Sequence, residues 1–222
     1  KMFITGENPN EALTVLKTAR KNKMNFTVDI LGEACLSEKE ALVYQQRYME
    51  LIKWLAQDSV KWQHDPQLDE DHWGPIPKVN VSVKLSSLYS QVKGTAWEES
   101  IAILSERLLP IFRCAKESNV FINLDMENYD LKDLTLAVFR NMLQMPEFKD
   151  YPHWGIVIQA YLRDSLKDIK SLVEFAKKRG VVFTVRLVKG AYWDSETIVA
   201  EQRDWPFPVY TNKKESDANY EE

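Results

Sequence analysis

Apolar and polar residues follow two rhythms along this chain, a short strand-like run and then a stretch with helical spacing, repeated in pairs. The first run, Phe26 to Leu31, ends at Gly32-Glu33. Ser37 and Glu40 stand at capping-box spacing before a helix whose apolar positions Leu42, Val43, Met49, Ile52 and Leu55 keep the helical period. A polar stretch over residues 63–77, rich in Asp, His and Pro, is expected on the surface. Val79 to Leu85 predicts a second strand, and Thr95 with Glu98 is expected to cap the helix near Trp97 to Glu117. Pro110 should kink that helix or open a new turn. A third strand, Val120 to Met126, precedes a helix from near Asp130; a fourth, Gly155 to Tyr161, precedes a helix over Ser165 to Arg179 that Gly180 stops. A fifth, Val181 to Val188, leads to a helix at Asp194 or Ser195, and a sixth short strand, Phe207 to Thr211, to one more helix. A helical lead-in, roughly Pro9 to Asn22, divides the chain into residues 1–25 and a repeating unit over 26–222.

Strands that alternate with helices and are themselves nearly continuous in apolar residues imply a parallel sheet covered on both faces. A (β/α)8 TIM-like barrel and a doubly wound open sheet both satisfy that pattern. Six units leave a barrel about two strands short of the roughly 250 residues it usually needs. The chain also stops at Tyr220-Glu221-Glu222 inside a helical pattern. The expectation is therefore an α/β barrel that is incomplete at its C-terminal side, a piece of a longer protein.

Charged and polar residues gather near the predicted strand exits. Glu33, Lys84, Asp125, Gln159, Arg186 and Lys189 fall there on successive strands, where barrels build their sites. Singly, Glu33 reads as a helix-dipole carboxylate, Lys84 as a snorkelling or ion-paired lysine, and Asp125 as a turn opener. Gln159, Arg186 and Lys189 are harder to dismiss, because a buried amide or charge needs a partner. Together they describe a ring around one mouth, and the run Arg186-Leu187-Val188-Lys189-Gly190-Ala191-Tyr192-Trp193-Asp194 asks for an anionic, flat, partly apolar ligand. Trp62, Trp73 and Trp97 lie away from that mouth and read as packing or surface residues.

Composition narrows the function. A net charge of -4 without a basic face argues against nucleic acid. There is no GxGxxG and no GxxxxGK[ST], which removes Rossmann and P-loop chemistry. Cys35 and Cys114 form no CxxC pair, and with three histidines no metal pattern appears, so no metal site is expected. No apolar run spans a bilayer and no signal peptide opens the chain, which points to a reduced, cytoplasmic setting. Three readings stay open: a flavoenzyme, a class I aldolase-like barrel using Lys84 or Lys189 as an imine-forming lysine, and a non-catalytic docking or regulatory barrel.

Segments Asp29 to Ala34, Ser82 to Ser86, Asn123 to Asp125, Val157 to Tyr161, Arg186 to Glu196 and Pro208 to Thr211 carry a resemblance, in order along the chain. On them the chain resembles the proline dehydrogenase catalytic domain, in the form found in bacterial bifunctional proline utilisation proteins. The resemblance implies oxidation of L-proline to Δ1-pyrroline-5-carboxylate with FAD in a barrel. It also implies electron transfer to a quinone, peripheral contact with the inner face of the cell membrane, and a fused pyrroline-5-carboxylate dehydrogenase domain in the parent protein. Lys84 would pair with the proline carboxylate, and Asp125 and Arg186 would be catalytic. Leu187 and Tyr192 would wall the proline ring, while Glu33 would hold an arginine further along. Met126, Gln159, Val188, Lys189, Gly190, Ala191 and Trp193 would contact FAD. The family's paired arginines after strand eight and its Thr-His pair on strand seven do not occur before Glu222. We therefore expect this chain alone to be weak or inactive in a proline-dependent dye-reduction assay and its parent to be active; parent-like turnover by residues 1–222 would refute this.

Overall fold

The computed structural model describes residues 9–32 and 34–222, so Glu33 lies outside the described residues. In chain order it contains α1 (Pro9–Lys21), β1 (Val28–Asp29), α2 (Glu38–Ser59), α3 (Pro66–Asp69), β2 (Glu70–Asp71), β3 (Gly74–Pro75) and β4 (Asn80–Val83). A single 3-10 turn (Leu85–Ser87) follows, then α4 (Trp97–Glu117), β5 (Phe121–Leu124), α5 (Tyr129–Gln144), β6 (Trp154–Gln159), α6 (Ser165–Arg179), β7 (Thr184–Val188), α7 (Trp193–Gln202) and α8 (Lys213–Glu221).

β1, β4, β5, β6 and β7 form one parallel sheet in that spatial order, so each strand–helix unit adds its strand beside the last. Register explains the two faces. Val81, Ile122 and Leu124 alternate outward with Ile156 and Ile158, and are nearly or fully buried among residues of α4 and α5 such as Leu104, Leu108, Phe112 and Phe139. The intervening positions Asp29, Ser82, Asn123, Gly155 and Thr184 share one row of the sheet. On that concave face Asn123 Nδ2 donates to Asn80 Oδ1 at 2.9 Å, and Arg186 of β7 reaches Ser82 of β4 at 3.4 Å. Two strands lie between β4 and β7 in the sheet, so a side-chain contact between them requires the sheet to curl. Curling of this kind is what a barrel wall does.

Several local expectations hold. Ser37 Oγ accepts from Glu40 N at 3.2 Å, and the Glu40 carboxylate reaches back to Leu36 N at 2.8 Å, one residue earlier than a reciprocal box would. Gly180 ends α6 in the left-handed conformation, φ 73°.

Others need correction. Thr95 and Glu98 do not cap α4: its first cap is Ala96, without a side-chain bond, and Ser100 Oγ folds back instead onto the Lys93 carbonyl at 3.1 Å. α4 runs through Pro110 without opening a new element. Residues 63–77 are not only surface, because Leu68 and Asp69 are buried and Asp69 receives both Arg20 guanidinium nitrogens at 2.9 Å. The sixth strand, Phe207 to Thr211, does not join the sheet. Val209 makes an isolated antiparallel bridge to Leu162, and Tyr210 N donates to the Tyr161 carbonyl at 2.8 Å. Pro206 and Pro208 leave that segment without alternate ladder donors, which suits a loop packed on the β6–α6 turn better than a strand beside β7.

Gly155 sits where the concave face is tightest. A Cβ there would collide with Asn123 Oδ1 and lie 2.8 Å from Phe121 Cε1. We expect Gly155→Ala to cost about 1–3 kcal/mol by overpacking, read as a lowered urea midpoint; an unchanged midpoint would show that Asn123 moves aside freely.

Candidate active site

Four charged side chains form an alternating chain across the concave face. Lys84 Nζ is hydrogen-bonded to Asp29 Oδ2 and lies 3.9 Å from Asp125 Oδ2; Asp125 Oδ1 in turn accepts from Arg186 Nη2. The backbone explains why they meet. Asp125 N donates to the Val83 carbonyl at 3.0 Å, which extends the β4–β5 ladder one step past its last pair. Continuing the β5–β6 register sets Asp125 beside Val157, and Val157 is paired with Arg186. Lys84, Asp125 and Arg186 therefore occupy one layer, with Arg186 in the middle of β7 rather than at its exit.

Burial dominates the electrostatics. Asp125 has its carboxyl pushed above the usual aspartate range, first by desolvation, with Asp29 adding to the rise and Arg186 and Lys84 opposing it. Glu127, two residues on, is raised mainly by desolvation too, against the hydrogen bonds from Ser86. Its carboxylate accepts from Ser86 N at 3.0 Å and from Ser86 Oγ. Arg186 Nε is buried without a partner among the described residues, an unused donor close to the layer of charges.

Gln159 and Lys189 lie one step higher, since Gln159 is paired with Val188. Gln159 is buried and its amide is spent on two neighbouring loops: Nε2 donates to the Glu127 carbonyl at 2.9 Å and Oε1 accepts from Ala191 N at 3.2 Å. Lys189 leaves the rim for Asp217 of α8, and that carboxylate raises the lysine's pKa. Beside it opens a cavity of about 310 Å³ lined by Tyr161, Lys189, Gly190, Trp193, Tyr210 and Asp217, among others. Gly190 has φ 133°, and a Cβ there would overlap the Tyr161 ring, so a glycine is required on both counts.

The six expected rim residues thus divide. Lys84, Asp125 and Arg186 come together, Gln159 ties the loops above them, Lys189 faces the lateral cavity, and Glu33 lies outside the described residues. Met126 is buried beside Asp125, and Tyr192 is the residue before α7. Leu187 follows Arg186 directly in β7 and is partly buried beside the core. Asp29, Ser82, Asn123 and Glu127 were missed by the sequence reading. The signal is present as period-two polarity, Asn80-Ser82-Lys84 and Asn123-Asp125, inside strands that are otherwise nearly continuous in apolar residues.

A curled parallel sheet covered by helices, with an ion-paired layer on its inward face, defines a barrel-type α/β protein. Residues 12–222 match the family model described as proline dehydrogenase. The chain belongs to the proline dehydrogenase family. It is 29% identical over 221 residues to the bifunctional protein PutA of Klebsiella aerogenes, covering 99% of this chain and 16% of that protein. Proline dehydrogenase 1 of Bacillus subtilis subsp. natto is 30% identical over 198 residues, 89% of this chain and 54% of the relative. The crystal structure of proline utilization A from Bdellovibrio bacteriovorus, inactivated by N-propargylglycine, superposes with TM-score 0.97 at 68% identity, over 99% of this chain and 23% of that one. The chain therefore spans about a sixth to a half of the curated relatives' length.

The raised Asp125 pKa has a sign. Asp125 keeps its proton in the folded state to higher pH than when unfolded, so stability falls as pH rises from the usual 3.8 through the raised value, then levels. Asp125→Asn cannot titrate. Urea unfolding across that window should show wild type losing ground to the variant as pH rises; a gap that is constant or moves the other way would contradict the burial argument.

Proposed function

We propose that this chain is the proline-oxidising part of a larger protein, removing a hydride and a proton from L-proline to leave Δ1-pyrroline-5-carboxylate, the first step of proline catabolism. The observation that carries this reading is the ion-paired chain Asp29–Lys84–Asp125–Arg186 on the concave face, within the span that matches the family.

The residues suit an amino-acid substrate with an elongated redox cofactor. Lys84 is the cation placed for the carboxylate, and Asp29 is its resident partner until an anion displaces it. Asp125 fixes Arg186 in one orientation, and an arginine held this way offers donors wherever negative charge develops. A buried, unpartnered Arg186 Nε, the two cations Arg186 and Lys189, and the aromatic cavity walls fit FAD. Met126, Gln159, Val188, Lys189, Gly190, Ala191 and Trp193 would hold it, and Leu187 and Tyr192 would stand against the proline ring. When bound, the flavin supplies the two-electron acceptor.

An imine-forming lysine fits less well. Lys84 is engaged by two carboxylates, and Asp217 favours the protonated form of Lys189, whereas an imine requires a free amine. A docking role without chemistry would not account for gathering four alternating charges on the inward face of the sheet, with Lys84 and Asp125 mostly withdrawn from solvent.

A quinone as electron acceptor, a cytoplasmic location with peripheral membrane contact, and a fused pyrroline-5-carboxylate dehydrogenase domain belong to the same proposal. No helix among the described residues is long and apolar enough to cross a membrane, which leaves peripheral contact as the form this proposal takes. The division into a lead-in over residues 1–25 and a barrel over 26–222 is retained as part of it, although Leu16 of α1 packs into the main core.

The test is proline-dependent dye reduction by the full-length protein, with Lys84→Met beside wild type. Losing a charge-assisted contact of about 1.5–3 kcal/mol should raise KM for proline roughly tenfold to a hundredfold. No proline oxidation by wild type, or an unchanged KM in the variant, would reject the reading.

A further inference from the structure

The ends of four adjacent strands are joined by one chain of hydrogen bonds, buried except at its last link. It begins at the 3-10 turn after β4, where Ser86 N and Oγ donate to the Glu127 carboxylate. It passes through Glu127 itself, whose carbonyl accepts from Gln159 Nε2 at the end of β6. It finishes where Gln159 Oε1 accepts from Ala191 N, in the loop after β7. Ser86, Glu127 and Gln159 are 5%, 6% and 2% exposed, so solvent hardly competes for the bonds among them, while the last bond, to Ala191 N, is part-buried.

Glu127 is the one member that uses both side chain and backbone to join two different strands. Its neighbours along the chain show what that controls. Asp125 stands two residues before it, and Lys84 two residues before Ser86. On the far side, Ala191 carries the Lys189–Trp193 loop. A carboxylate this deeply buried is costly, and core packing alone gives no reason to keep one there. Two donors from a single serine, held at a fixed distance from a second loop, do give a reason.

We propose that Glu127 is a positioning residue: it sets the separation between the Lys84–Asp125–Arg186 layer and the Lys189–Trp193 loop by tying the β4, β5 and β6 ends together, with Gln159 carrying the tie on to β7. The proposal rests on the functional reading above, since that reading puts substrate on the layer and the electron acceptor against the loop. A misplacement of about 1 Å between two reacting partners can cost on the order of a hundredfold in rate, and this separation is what the girdle holds. The Glu127→Gln change keeps the shape and one acceptor for Ser86 N, and the new amide can face the serine hydroxyl, which donates or accepts. The Glu127→Ala change removes the side-chain tie altogether.

The experiment uses the full-length protein with Glu127→Ala and Glu127→Gln, followed by steady-state proline oxidation and by amide hydrogen exchange on the same samples. Glu127→Ala should lower kcat at least tenfold in folded protein, and Glu127→Gln should recover much of it. Exchange at the Ala191 amide should accelerate at least tenfold in Glu127→Ala, while the Ala160 amide, bonded to the Val188 carbonyl at 2.8 Å, stays protected as a control for the sheet. A lowered melting temperature with unchanged kcat and unchanged Ala191 exchange would reduce Glu127 to a stabilising residue and overturn the proposal. If Glu127→Ala does not fold, Ser86→Ala, which deletes one donor and leaves Ser86 N, should give the same effects in milder form; wild-type kcat and exchange there would equally overturn it. A wild-type protein that fails to oxidise proline refutes the functional reading, and the exchange data then judge the girdle on their own.

Discussion

A charge on the inward face of a curled sheet must find its opposite across the interior, because the helices that cover the sheet pack on its other side. Asp125 and Arg186 meet this condition from strands separated by one other, and the pairing is possible only because the register brings both to one height. Shift β7 by one residue against β6 and Arg186 would turn outward among the phenylalanines that now surround Phe183, while Leu187 would replace it inside. Fold, register and charge pairing are thus one constraint. The outward positions supply the apolar burial, and the inward positions use the geometry that this burial secures.

Much of the strand–helix order was legible, because apolar periodicity reports burial directly. α6 was anticipated at both ends, and the glycine at its end acts through a local backbone preference. Strand lengths were read too long at every strand: β1 keeps two residues of an expected run from Phe26 to Leu31. Hydrophobic runs continue into loops that cover the core without pairing, and sequence alone does not separate these cases. The failed sixth strand has the same origin, with two prolines and a tertiary contact to the β6–α6 turn deciding against the sheet.

The site was half legible. Charges near strand exits stand out against apolar surroundings, so Lys84, Asp125 and Arg186 could be singled out, and the structure brings these three together. Asp29 and Glu127 were passed over because each sits beside a more conspicuous neighbour, and their importance appears only when distant segments are brought together.

The close approach of Gly190 to Tyr161 carries a consequence for how this protein can drift over generations. Position 190 cannot acquire a side chain while an aromatic ring occupies position 161, and its positive φ penalises most replacements even if that ring shrinks. Exchange is therefore ordered in time: the ring must give way first, and only a residue tolerant of the left-handed region can then enter at 190. Variation at these two positions should be correlated and one-directional, although they follow different strands.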